Sequence, residues 1–146
     1  AAEVFTLVAE AGANIDMIVQ NTATGIDVEA KISDISFTLP KADRAKVVAA
    51  LEAAQGSIGF KRLEFDDEIG KLSVVGAGMR THSGVSAILF GALAKAGINI
   101  EMISTSEIRI SVVTDIAQLD DAARAVHTAF ELDTDIEATV YAGTGR

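Results

Sequence analysis

Cysteine is absent from the 146-residue sequence, and proline and tyrosine each occur once. Without cysteine there can be no disulfide framework, thiolate zinc site or cysteine nucleophile, which fits a reducing compartment. Basic residues are few: the sequence has 12 Lys and Arg against 21 Asp and Glu. The resulting net charge of −9 disfavours nucleic acid and anionic lipid as partners. No apolar run approaches the roughly 20 residues that span a bilayer, and no charged-then-apolar leader opens the chain. We therefore expect a soluble cytoplasmic protein without a membrane segment.

Hydrophobic residues make up 49% of the sequence and charged residues 23%, a balance typical of globular proteins. This length suits one ordinary domain or two small ones. We predict two domains, residues 1–68 and 69–146, because the sequence contains an internal repeat.

The repeat is clearest in an eight-residue segment that occurs twice. Ala11–Ile18 reads A-G-A-N-I-D-M-I, and 85 positions later Ala96–Ile103 reads A-G-I-N-I-E-M-I, with six identities and one Asp/Glu exchange. The same offset also aligns preceding residues, such as Phe5 with Phe90. We interpret the chain as two copies of one supersecondary unit.

The second copy predicts the order strand, helix, strand, strand, helix, strand. Ser83 is a candidate N-cap and Gly97 a candidate left-handed helix end. Helical spacing places Val85, Ile88, Leu89 and Leu93 on one face of the first helix, and Leu119, Ala122, Ala123, Val126 and Phe130 on one face of the second. The predicted strands are Lys71–Gly78, Ile98–Thr105, Glu107–Thr114 with Ile108, Ile110 and Val112 on one face, and Ile136–Tyr141. This order is that of a ferredoxin-like βαββαβ unit of the α+β class.

The first copy follows the same plan with a longer hairpin at Asn21–Lys31. Its second helix is predicted from about Ala42 to Gln55, with Val47, Val48 and Leu51 inward, and its last strand at Phe60–Phe65. Fifteen residues of the second copy, from Lys71, have no counterpart before Ala1. We therefore expect the first copy to lack its opening strand and the chain to be part of a longer protein.

Motifs for catalysis are weak. Gly76-Ala77-Gly78 precedes a helix, but Thr81 replaces the third glycine of a dinucleotide fingerprint, which favours a structural turn. His82 and His127 have no second ligand at metal spacing, and Thr81-His82-Ser83 has no identifiable oxyanion donor. The acidic run Asp66-Asp67-Glu68 is interpreted as a solvated connector. We predict no catalytic residue and no metal site in this chain.

The repeated Asn-Ile-acid segment is the feature that points to binding. We expect the loop before the first helix and this segment to approach each other at one edge of each unit. Helix N-terminal N–H groups suit a carboxylate, and strand-edge carbonyls with Asp16 and Glu101 suit an ammonium group. Together they suit a free amino acid, whereas the alternative is that Asn14 and Asn99 are turn residues and both acids are merely solvated.

Five segments of the chain closely resemble the regulatory region of bacterial aspartate kinase: G-A-N-I-D-M-I-V-Q-N from Gly12, D-I-S-F-T from Asp34, V-G-A-G-M from Val75, I-S-T-S-E-I-R-I-S-V from Ile103 and V-Y-A-G-T-G-R from Val140. The resemblance covers nearly the whole chain and implies two ACT domains, the first incomplete. It also implies that the complete enzyme phosphorylates L-aspartate with ATP and magnesium in a catalytic domain or subunit outside this chain.

The resemblance further implies that threonine or lysine binds as a feedback effector between paired ACT domains, in a homodimer. Backbone groups of the Asn-Ile pairs would hold the main-chain atoms of the effector, and acids and hydroxyls would contact its side chain. The matching positions are Ala1, Asn14, Ile15, Asp16 and Gln20 in the first copy and Met79, His82, Ser83, Val85, Ser86, Asn99, Ile100, Glu101 and Glu107 in the second.

Two other functions stay open at this point. The chain could be an amino-acid-sensing ACT pair of a different biosynthetic enzyme, or a purely structural dimerisation domain that binds no amino acid. A stand-alone ferredoxin-like enzyme is disfavoured because no nucleophile, metal cluster or phosphate loop was found.

Overall fold

The computed structural model describes residues 1–23, 32–76 and 84–133 of the chain. They belong to two compact units, Ala1–Asp67 and Glu68–Arg146, each with its own hydrophobic core. Both units combine helices with antiparallel strands, so the predicted α+β class is confirmed. No helix in the described ranges has both the length and the apolar character needed to cross a bilayer.

Unit 1 (Ala1–Asp67) contains, in chain order, α1 (Ala2–Glu10), β1 (Ile18–Ala23), β2 (Ile32–Phe37), a 3₁₀ turn (Lys41–Asp43), α2 (Arg44–Ala53) and α3 (Gln55–Ile58). β1 and β2 pair antiparallel, with Ile18 opposite Phe37, so the two strands of the predicted hairpin are confirmed. Residues 24–31 between them lie outside the described residues. The helix predicted from Ala42 to Gln55 is divided into the 3₁₀ turn, α2 and α3.

The core of unit 1 forms where α1 packs on α2. Val8, Ala13, Val47 and Leu51 are buried there. Val47 and Leu51 are four residues apart, so they share one face of α2. The rings of Phe5 and Phe37 meet edge to face with centroids 5.6 Å apart. The ring contact places the middle of α1 beside the end of β2.

The segment after α3 is not the strand that the sequence predicts at Phe60–Phe65. Phe60 and Leu63 pack against the core of unit 1 without forming a strand. Further along, Arg44 forms an ion pair with Asp67 and its guanidinium lies 4.5 Å from the ring centre of Phe65. The prediction is wrong because a strand needs a neighbour to complete its hydrogen bonds, and β1 and β2 pair only with each other in the described part of unit 1.

Unit 2 (Glu68–Arg146) contains β3 (Ile69–Val75), α4 (Val85–Lys95), β4 (Met102–Thr105), β5 (Arg109–Asp115), a 3₁₀ turn (Ile116–Gln118) and α5 (Leu119–Ala129). Its described strands form an antiparallel sheet in the order β3-β5-β4. The element order agrees with the ferredoxin-like prediction, and the strand predicted at Ile136–Tyr141 lies outside the described residues.

The core of unit 2 lies between this sheet and the two helices α4 and α5. Its buried members are Leu89, Leu93, Ile98, Ile110, Val112, Ala122 and Val126. Leu89 and Leu93 come from α4, and Ala122 and Val126 from α5, each pair one helical turn apart. The periodic pattern therefore predicted the core side of both helices.

Three details of unit 2 differ from the sequence prediction. The strand predicted at Ile98–Thr105 begins only at Met102, because the chain first follows a loop whose apolar residues pack on the core. Ile88 and Ile108, predicted to share one face with the other apolar residues of their element, are 45% and 58% exposed. The N-cap of α4 is Gly84 rather than Ser83, since Gly84 adopts a φ of 123° and the helix begins at Val85.

Candidate functional site

Two equivalent loops follow α1 and α4, and we name them loop 1 (Asn14–Asp16) and loop 2 (Asn99–Glu101). Each is preceded by a left-handed glycine, with φ of 69° at Gly12 and 71° at Gly97. Ala13 N–H donates to the Val8 carbonyl just as Ile98 N–H donates to the Leu93 carbonyl. The chain therefore leaves both helices in the same way.

Burial alternates along both loops. Ala13 and Ile98 are each 9% exposed, and Ile15 and Ile100 are half-buried against the core of their unit. The residues between and after them, Asn14, Asp16, Asn99 and Glu101, are exposed. The apolar residues thus hold each loop on its core, and the amide and carboxylate side chains remain accessible.

The backbone of each acidic residue hydrogen-bonds to a neighbouring segment, just after β2 for Asp16 and within β5 for Glu101. Asp16 N–H donates to the Thr38 carbonyl at 3.1 Å, and Glu101 N–H donates to the Val113 carbonyl at 2.9 Å. The backbone of both acids is thereby held in place, and both carboxylate side chains lie on the surface. Exposed carboxylates can form charge-assisted hydrogen bonds with an ammonium group.

Unused donors lie in the middle of the loops. The backbone N–H groups of Asn14, Ile15, Asn99 and Ile100 make no hydrogen bond within the described residues. Main-chain N–H groups are suitable partners for a carboxylate. Each loop therefore offers N–H donors next to an acidic side chain, the combination expected for a zwitterion.

Two side chains that the sequence analysis did not select distinguish the loops. Lys46 Nζ lies 2.8 Å from the carbonyl oxygen of Gly12, just before loop 1. Thr114 Oγ1 donates a 2.7 Å hydrogen bond to the carbonyl of Asn99 in loop 2. No sequence motif indicates either contact, because each joins residues that are distant along the chain.

The remaining predicted site residues of unit 1 are spread along it. Ala1 is the N-cap of α1, and the helix of nine residues separates it from loop 1 by about 13 Å. Gln20 is exposed in β1, opposite Ile35. The structure brings Asn14, Ile15 and Asp16 together and leaves Ala1 at the far end of α1.

The predicted residues of unit 2 fall into two groups. Val85 and Ser86 begin α4, whose 11 residues, about 16 Å, separate them from loop 2. Glu107 follows β4 and so lies beyond the other end of that strand from loop 2. The start of α4 therefore does not approach the Asn-Ile-acid segment within one unit. The approach itself was predicted for the loop before α4, which lies outside the described residues up to Ser83 and stays a prediction. Met79, His82 and Ser83 lie outside the described residues.

Metal ligation has no support in this part of the chain. Within residues 1–23, 32–76 and 84–133, no three His, Asp or Glu side chains are grouped closely enough to hold an ion.

Comparisons with known proteins identify the family. Models of the ACT domain match residues 1–56 and 72–130. A crystal structure of aspartokinase alpha and beta subunits matches with a TM-score of 0.79 and 42% identity, covering 89% of this chain and 82% of that one. The chain belongs to the aspartokinase family.

Two further relatives show which part of aspartokinase the chain represents. The regulatory subunit of aspartate kinase from Thermus thermophilus, in a ligand-free form, has a TM-score of 0.78 and 38% identity over 88% of this chain and 82% of that one. Aspartokinase from Mycolicibacterium smegmatis is 52% identical over all 146 residues, which correspond to 34% of its length. The chain is thus the regulatory ACT region of an aspartokinase and spans about a third of the curated relatives that it matches.

Proposed function

We propose that this aspartokinase region senses free L-threonine or L-lysine and controls the phosphorylation of L-aspartate by a catalytic aspartate kinase domain or subunit. The observation that carries the proposal is the duplicated loop, in which the N–H groups of Asn14, Ile15, Asn99 and Ile100 bond to none of the described residues and an exposed acid lies beside them. ATP and magnesium would bind to the catalytic part, and the whole assembly would work in the cytoplasm.

The charges of the loops support an amino acid as the ligand. The N–H groups of loop 2 would hold the α-carboxylate, and the carboxylate of Glu101 would hold an ammonium group. Asp16 would do the same in loop 1. A lysine effector supplies a second ammonium group and would gain more from either acid than threonine does.

Pairing of ACT domains supports the proposed site for a geometric reason. An effector that contacts both loop 2 and the Val85–Ser86 end of α4 cannot do so within one unit, since the helix is longer than a free amino acid. A second copy of the chain would supply the Val85–Ser86 end of α4 that one unit cannot bring to its own loop 2. We therefore propose a homodimer in which the effector is held between ACT domains of different chains.

Control of the enzyme follows from this pairing. An effector shifts an equilibrium only by its difference in affinity for the two states. An amino acid held between two chains would stabilise the paired arrangement over any other. The catalytic partner would respond to that arrangement, which links effector binding to aspartate phosphorylation.

Calorimetric titration of the 146-residue chain with L-threonine and L-lysine tests the proposal, together with thermal melts and sedimentation. At an effector concentration 100 times the dissociation constant, stability should increase by about 2.7 kcal/mol. Adding the chain to a catalytic aspartate kinase subunit should make ATP consumption sensitive to the same amino acid.

Matched variants define the contribution of each loop. Asp16→Asn and Glu101→Gln keep the side-chain shape and remove one charge, so each should weaken binding at its own loop. A dimer that binds neither amino acid would instead identify a purely structural dimerisation domain. If the chain bound only some other amino acid, that amino acid would be the effector and the proposal of threonine or lysine would be wrong.

A further inference from the structure

We propose that Thr114 is a positioning residue that orients loop 2 for the carboxylate of the effector. As a result, the second ACT domain prefers a ligand with a free α-carboxylate over one without it more strongly than the first ACT domain does. The inference rests on the proposed function and deepens it. Thr114 is fully buried at 0% exposure, and its hydroxyl donates to the Asn99 carbonyl at 2.7 Å.

The orientation follows from the geometry of the peptide bond. The bond between Asn99 and Ile100 is trans, since the described chain contains no cis peptide bond. In a planar trans peptide the C=O and N–H groups point in opposite directions. Because the Asn99 carbonyl is directed at Thr114, the Ile100 N–H is directed away from Thr114, and no described residue accepts its hydrogen bond.

Thr114 is itself held rigidly. It lies in β5, the central strand of the described sheet, directly opposite Gly70 of β3. Rotation of the Asn99–Ile100 peptide would leave a buried hydroxyl without a partner, and such a group is costly to leave unsatisfied. The hydrogen bond therefore keeps the Ile100 N–H in one direction before any ligand arrives, which lowers the cost of binding.

Loop 1 provides an internal comparison. Asp16 bonds to Thr38 as Glu101 bonds to Val113, so the position equivalent to Thr114 is the next residue after Thr38, which is Leu39. The leucine side chain has no hydrogen-bond donor, and the Asn14 carbonyl accepts no hydrogen bond from the described residues. The peptide between Asn14 and Ile15 is consequently not held in the same way.

Thr114→Val tests the role of the hydroxyl, because valine has nearly the same shape and no donor. The binding of L-threonine and of L-threoninamide, which lacks the carboxylate, should be measured by calorimetry, with L-lysine and its amide as a second pair. Thr114→Val should reduce the preference for the free acid over the amide by about threefold to tenfold, the effect of one hydrogen bond. Thr114→Ser should restore the preference.

Acid-over-amide preference separates positioning from mere loss of structure, since a damaged loop would weaken both ligands equally. An unchanged preference in Thr114→Val, with wild-type binding intact, would overturn the inference and leave the proposed function standing. Absence of binding by the wild-type chain would instead contradict the proposed function.

A measurement on the wild-type protein covers the case in which Thr114→Val does not fold. The amide proton of Ile100 should shift in NMR spectra when L-threonine binds and shift far less with L-threoninamide. Equal shifts with both ligands would contradict the inference. Leu39→Thr should add a donor beside loop 1 and raise the acid-over-amide preference there.

Discussion

Gly12 and Gly97 adopt the same left-handed conformation, with φ of 69° and 71°, although they are 85 positions apart in the chain. Each N–H donates to a carbonyl three residues earlier, from Gly12 to Ala9 and from Gly97 to Ala94. Both residues end a helix and begin one of the two loops. The duplication therefore extends to the backbone that directs each loop.

We expect Gly12→Ala and Gly97→Ala each to lower the free energy of unfolding by about 1–2 kcal/mol, because L-residues are strained at positive φ. An added Cβ at Gly97 would meet nothing within 4 Å, so conformational strain alone explains the expected loss there. Urea unfolding of the chain measures the change. Unchanged stability in both variants would show that these loops can adopt another conformation.

A second pair of glycines should respond in opposite directions to alanine. A Cβ at Gly70 would lie 2.7 Å from Leu119 Cδ2, so Gly70→Ala forces the side chain of Leu119 to move and should destabilise by about 1 kcal/mol. A Cβ at Gly91, in α4, would meet nothing within 4 Å. Gly91→Ala should stabilise by about 0.5–1 kcal/mol, since glycine is unfavourable within a helix. If both alanine variants changed the free energy of unfolding by the same amount in urea, the contact of Leu119 with position 70 would be contradicted.

Leu93 is completely buried in the core of unit 2, whereas Leu132 is 64% exposed. Leu93→Ala should therefore cost about 2–5 kcal/mol through lost burial and the cavity left behind. Leu132→Ala, the same chemical change at the surface, should alter stability by less than about 0.5 kcal/mol. Similar unfolding midpoints for the two variants would contradict the burial of Leu93.

The carboxyl group of Asp133 accepts a 2.7 Å hydrogen bond from the Thr128 hydroxyl, and this bond lowers the pKa of Asp133. A lowered pKa in the folded state stabilises the fold above the unfolded pKa, and that contribution disappears as the pH falls through the folded pKa. Thr128→Val should return the pKa of Asp133 towards its ordinary value, and Thr128→Ser should keep it low. Carbon NMR titration of the carboxyl measures both, and an identical titration in Thr128→Val would contradict this assignment.

Sequence reasoning predicted best those features that depend on near neighbours in the chain. The left-handed Gly97 and the inward positions Leu89 and Leu93 are confirmed, because helix periodicity and glycine conformation are local properties. It was less successful with strands. Phe60–Phe65 has the composition of a strand but no neighbour to pair with, and Ile98–Glu101 packs as a loop before β4 begins.

The candidate site likewise has features that the sequence predicted and features that it did not. Asn14, Asp16, Asn99 and Glu101 were selected from the repeat, and the structure places all four on the surface of equivalent loops. The separation of Val85 from loop 2 follows from the length of α4, which the helical spacing from Val85 to Gly97 had already indicated. The contact of Thr114 with Asn99 could not be foreseen, since it requires β5 to lie beside the loop.

The amino-acid sequence by itself determined the duplication, the α+β character and the Asn-Ile-acid loops. A repeat can be recognised by comparing segments of the sequence, and helical periodicity and glycine turns depend on residues close together in the chain. Only the tertiary structure decided which segments pair as strands and which loop carbonyl is held by a buried hydroxyl. Those outcomes depend on hydrogen bonds between residues distant in the chain, as between Thr114 and Asn99, and such bonds form only when folding brings their partners together.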